Sequence, residues 1–146
     1  MESERPLEEI REAKRAHELF VLNLIFFHLL AVPAGLAFDL GYWGMVVPVI
    51  SSTLLLFYCR QRIAVLEREG KAWVQEHWEG ALKRFRWLYI SYAIVATLLV
   101  VVSLFVHPES IAFVALTRVA VMPAIIMVLV TFVLSTSALG RAANGE

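Results

Sequence analysis

Four apolar stretches, residues 19–38, 42–59, 87–106 and 119–139, contain no Lys, Arg, Asp or Glu. Each is about 18 to 21 residues long, the length a helix needs to cross ~30 Å of hydrocarbon at 1.5 Å per residue. A soluble domain of 146 residues has too little interior to hide that much fully apolar helix from water. The pattern predicts an all-α integral membrane protein: a four-transmembrane-helix bundle of two in–out–in hairpins with cytoplasmic helical extensions.

Charge placement supplies the orientation. Of thirteen Lys and Arg, twelve lie in residues 1–18, in the connector 60–86 or in the tail. The short connectors 39–41 and 107–110 carry no Lys or Arg. Positive residues stay on the cytoplasmic side, so both termini and the long connector are expected there, with the two short turns outside. The expected location is the cytoplasmic (inner) membrane of a bacterium. The division that follows is an N-terminal helix (1–18), a first hairpin (19–59), an amphipathic connector (60–86), a second hairpin (87–139) and a tail (140–146). The polar start is too long and too acidic for a cleavable signal, so 19–38 reads as a retained span.

Ser3 is positioned to cap the first helix, with Pro6 in its first turn. Leu7, Ile10, Ala13, His17 and Phe20 then recur at helical spacing, giving one apolar stripe. Glu8 with Arg11, and Glu12 with Arg15, are spaced to pair along the wetter side. The helix is expected to run unbroken into the membrane and to bend near Pro33. In the outward turn, Tyr42 and Trp43 suit the headgroup layer. In the second span, Ser51, Ser52 and Thr53 follow Pro48, where hydroxyls can take up carbonyls that the proline frees.

The connector has the most distinctive pattern outside the spans. Ile63, Leu66, Gly70, Trp73, His77, Ala81, Phe85 and Leu88 form a second stripe, with a turn expected at Gly70. Trp73, Trp78 and Trp87 are interleaved with Lys83, Arg84 and Arg86, a composition suited to anionic headgroups. The same stripe could instead pack on the N-terminal helix as a cytoplasmic head, and the two placements are compatible. Residues 111–139 are too long for one straight span, and Arg118 with Pro123 divides them. Val46–Ile50 and Val121–Ile125 share a Val-x-Pro core, a faint sign of hairpin duplication.

Few residues could carry chemistry. Arg118 is the one basic residue outside the cytoplasmic set, with Asp39 and Glu109 as available counter-charges. Its readings are an ion pair, snorkelling to outer headgroups, an anionic-ligand or subunit contact, or a transport path. His28 and Asn23 lie within the first span and need polar partners on a neighbouring helix. His28 is the weak candidate for a cofactor contact. No other histidine matches its depth, so no cofactor is expected of this chain alone, and haem or quinone would have to be shared with a partner. A single cysteine, Cys59, excludes an internal disulfide. No phosphate loop, His-Glu-x-x-His or nucleophile elbow occurs. The cytoplasmic segments hold twelve basic and eleven acidic residues, which speaks against nucleic acid.

The expected partners are the bilayer and other membrane subunits or further copies of the chain. Ala31 with Gly35, and Ala120 with Ala124, have the spacing of close helix contacts. The leading functional expectation is a small non-catalytic subunit or assembly factor of a larger membrane complex. The alternatives are an oligomeric channel or small transporter, and a membrane anchor contacting haem or quinone.

Overall fold

The computed structural model describes residues 6–30, 34, 37, 38 and 43–146, the side chains of 43–45 excepted. Ser3, Ala31, Pro33, Gly35, Asp39 and Tyr42 lie outside the described residues, as does the expected bend of the first span. Among the described residues the chain is all-helical with no strands. Helix α1 is Leu7–Asn23 and passes directly into a π-helical segment, Leu24–Leu30. Helix α2 is Trp43–Glu69, α3 is Ala72–Phe105, α4 is Ile111–Ala120 and α5 is Met122–Ala143.

Three helical stretches are long and apolar enough to cross a membrane: Val46–Glu69, Ala72–Phe105 and Ile111–Ala143. The stretch 19–38 falls partly outside the described residues. Helix α3 would measure ~51 Å at 1.5 Å per residue, well beyond the hydrocarbon thickness. Its apolar run starts at Trp87, and the preceding part carries Glu76, Glu79, Lys83, Arg84 and Arg86, charges that hydrocarbon disfavours.

The helix ends follow from local chemistry. Pro6 is the N-cap residue of α1 rather than part of its first turn, and its carbonyl accepts from the amides of Glu9 and Ile10. Gly70 ends α2 with φ at +70°. Its N–H reaches the Glu67 carbonyl and the Lys71 N–H reaches that of Leu66, a Schellman closure that favours glycine at the left-handed position. Ser110 caps α4 by accepting from the Phe113 amide at 3.1 Å. The last apolar stretch breaks at Val121, two residues before Pro123. Proline lacks the N–H that would bond four residues back, and its ring crowds that carbonyl. Within α2, Ser51 and Thr53 donate to the Pro48 and Val49 carbonyls. The carbonyl that Pro48 frees is four residues back, at Gly44, so these bonds are ordinary back-bonding to the helix and not the expected repair.

The chain forms two compact units, Met1–Phe85 with Phe132–Glu146, and Arg86–Thr131. The first contains a tightly packed helical head. Ala13, Ala16, Phe20 and Leu24 bury one stripe of the first helix, and Val74, Trp78, Ala81 and Phe85 bury one stripe of α3. Phe20 meets Phe85 edge-on with ring centroids 4.4 Å apart. Burying each such side chain contributes about 1.5–3 kcal/mol. Small residues line α5, where Ala138 and Ala142 are buried and permit close approach. Glu12 pairs with Arg62 and with Lys71 at 3.4 Å, not with Arg15 on its own helix, because α2 and its closing turn bring cations to that face.

Candidate functional site

Two polar clusters stand out, one among apolar helices and one in the head. The first joins Asn23, His28 and Ser52, all buried. In an α-helix, residues five apart point about 140° away from each other. The π winding of Leu24–Leu30 closes i→i+5 and brings His28 round to the side of Asn23. The His28 Nδ1 lies 3.2 Å from the Asn23 carbonyl, which can only accept, so Nδ1 carries the proton. Nε2 then accepts from the Ser52 hydroxyl at 3.3 Å, and Ser52 Oγ accepts from Asn23 Nδ2 at 2.8 Å. These bonds close into a ring through the Asn23 main-chain carbonyl, with both His28 nitrogens engaged.

The second cluster joins the two histidine stripes. His17 of α1 is 1% exposed and faces His77 of α3, with Nε2 2.9 Å from Nδ1. An Arg84 guanidinium nitrogen lies 3.1 Å from His17 Nδ1. A guanidinium only donates, so His17 Nδ1 accepts and its Nε2–H donates to His77 Nδ1. His77 Nε2–H then donates to the Glu146 backbone oxygen at 3.2 Å. One fixed donor therefore sets the direction of every hydrogen bond in the file, and each ring is neutral.

Burial, followed by the positive charge of Arg84, the neighbouring His77 ring and the charge of Arg141, pushes the His17 pKa down from 6.5 to about 3. A second proton on His17 would also set an N–H against the Arg84 donor. Burial is the largest cause lowering His77 as well, with the Glu146 oxygen and Glu76 opposing it. Trp73 stacks edge-on to His77 at 4.7 Å. Beside this file lies a cavity of about 470 Å³, with His17, His77, Gly80, Lys83, Arg84, Ala138 and Arg141 in its wall.

The residues singled out from the sequence are distributed unevenly over these features. Asn23 and His28 share the first cluster, and Arg84, Trp73 and Lys83 belong to the second. Trp78 is wholly buried, edge-on to Tyr58 at 5.7 Å, so it offers no face to lipid; the head takes it up instead. Trp87 is 50% exposed, and Arg86 is exposed too. Arg118 and Glu109 are both exposed and form no ion pair with each other; Asp39 lies outside the described residues. Among the described residues no three His, Cys, Asp or Glu side chains are grouped to hold a metal. The His17–His77 pair was not foreseen as a site, although both residues lie on the apolar stripes that meet.

No family model matches the chain, and neither the curated proteins nor the solved structures contain a match.

Proposed function

We propose that this chain crosses the cytoplasmic membrane of a bacterium four times, termini and connector inside, and serves as a non-catalytic subunit or assembly factor of a larger membrane complex. The observation that carries this reading is the closed Asn23–Ser52–His28 ring. Ser52 bonds both the Asn23 amide and the His28 ring, and His28 bonds back to the Asn23 carbonyl, which favours holding helices together over lining a solute path. Engagement of both His28 nitrogens also leaves no lone pair for haem iron in this arrangement. Leu54 and Phe57 in one unit, and Ile94, Leu104 and Ile126 in the other, are exposed apolar side chains, suited to lipid and to other spans. The head adds a rigid cytoplasmic feature that a larger partner could grip.

The test is extraction of native membranes in mild detergent after brief cross-linking, with the chain carrying an affinity tag. Co-purification with larger membrane subunits at constant stoichiometry is expected. A solitary oligomer that conducts ions or solutes in liposomes would refute the reading in favour of a channel. Topology is checked separately by cysteine labelling at residues 70 and 110, which are expected on opposite sides.

A further inference from the structure

The head cavity has a charge pattern that the subunit reading does not use. Its wall holds three basic side chains, Lys83, Arg84 and Arg141, and three carboxylates, Glu76, Glu79 and Glu146. The lining is therefore neutral overall (three minus three), and the hydrogen-bonded histidines add no charge. A simple anion gains little from such a chamber, whereas a group bearing both signs is matched at each end.

The signs are also ordered along α3. Lys83 and Arg84 precede the apolar run by only three or four residues. Glu76 and Glu79 lie ~6–12 Å further out at 1.5 Å per residue. An aminophospholipid presents its groups in that order, the phosphodiester next to the acyl chains and the ammonium beyond it. Arg84 donates one N–H to His17 and turns Nη2 toward Gly80, whose missing side chain leaves that nitrogen 4.0 Å from the nearest point a Cβ would occupy. A guanidinium held at one nitrogen keeps its remaining donors oriented for phosphate oxygens.

The geometry points to this cavity as the seat of an aminophospholipid headgroup, its phosphate on Lys83, Arg84 and Arg141 and its ammonium on Glu76 and Glu79. It rests on the membrane-spanning reading but not on the subunit reading, because a solitary protein would bind the lipid equally well.

The test is native mass spectrometry of the full chain, delipidated in detergent and titrated with phosphatidylethanolamine, phosphatidylglycerol or phosphatidylcholine. One phosphatidylethanolamine per chain is expected, with about tenfold preference over phosphatidylglycerol, the ratio that one charge-assisted contact supports. Glu76→Gln with Glu79→Gln is expected to invert that preference while leaving the helical signal intact. Gly80→Leu reaches into the cavity without changing its charge and improves helix propensity; an unchanged helical signal and thermal transition assign loss of the lipid there to the filled cavity and not to a folding failure. Equal binding of the three lipids by the wild type, or retention of phosphatidylethanolamine by Gly80→Leu, would overturn the proposal. Displacement by soluble phosphoethanolamine at matched concentration would overturn its lipid source. Co-purification of partner subunits is read in a separate experiment, so the two proposals fail independently.

Discussion

Acidification from about pH 7.5 to about pH 5 is expected to loosen the helical head through His17. In the closed head this ring takes up a proton only near pH 3, whereas an opened head returns it to 6.5. Between those limits the open form binds more protons, so stability rises with pH. The contribution is complete above pH 6.5 and is lost as the pH falls toward 3. At pH 5 an exposed imidazole favours the protonated form by about thirtyfold, while the enclosed one stays neutral. The opening equilibrium therefore shifts by about 2 kcal/mol, again roughly thirtyfold. Hydrogen exchange of α1 and of the first turns of α3, corrected for the intrinsic pH dependence of exchange, measures this directly. His17→Gln provides the control, because its amide accepts from Arg84 and donates to His77 without titrating. The lowered pKa of His77 acts in the same direction and remains in that variant as a residual slope. Identical pH dependence of protection in wild type and His17→Gln would refute the reasoning.

Other substitutions probe the remaining contacts. Ser52→Ala leaves Asn23 and His28 without their shared partner and is expected to cost about 1 kcal/mol in a detergent unfolding titration; strict additivity with Asn23→Ala would show that the ring is not coupled. Gly70→Ala has open space around the new methyl group but forces a left-handed residue to carry a Cβ, so a loss of about 1–2 kcal/mol is expected from the backbone alone; an unchanged melting temperature would contradict the Schellman closure. Phe20→Ala empties the place opposite Phe85 and is expected to cost about 3–5 kcal/mol, read as protease sensitivity of the connector.

What the sequence made legible was whatever depends on one element at a time. Charge exclusion over 18–21 residues marked the apolar helices, since the cost of a charge in hydrocarbon is independent of neighbours. The turn at Gly70 was equally local, because few residues besides glycine accept its backbone angle. The stripes holding His17 and His77 were visible as stripes. Their hydrogen bond was not, because it depends on the axial register of α1 against α3, which many similar contacts set together. Glu12 illustrates the same limit: Arg15 was the cation at helical pairing distance in sequence, while Arg62 and Lys71 became its partners in space. The break at Val121 sat close to the proline that causes it, displaced by the reach of a hydrogen bond four residues long. The π winding ahead of His28 was missed because a periodicity of 3.6 was assumed throughout the first helix.

That winding gives the first helix a spare residue. Rewinding the full-length segment as a regular spiral would swing the imidazole about 140° from Asn23 and strand Ser52 between them. Removing one residue between positions 23 and 28 would instead leave the two side chains four apart on an ordinary helix, again on one side. The segment can therefore give up length where most helices cannot, and a chain one residue shorter at this point would keep the same three partners.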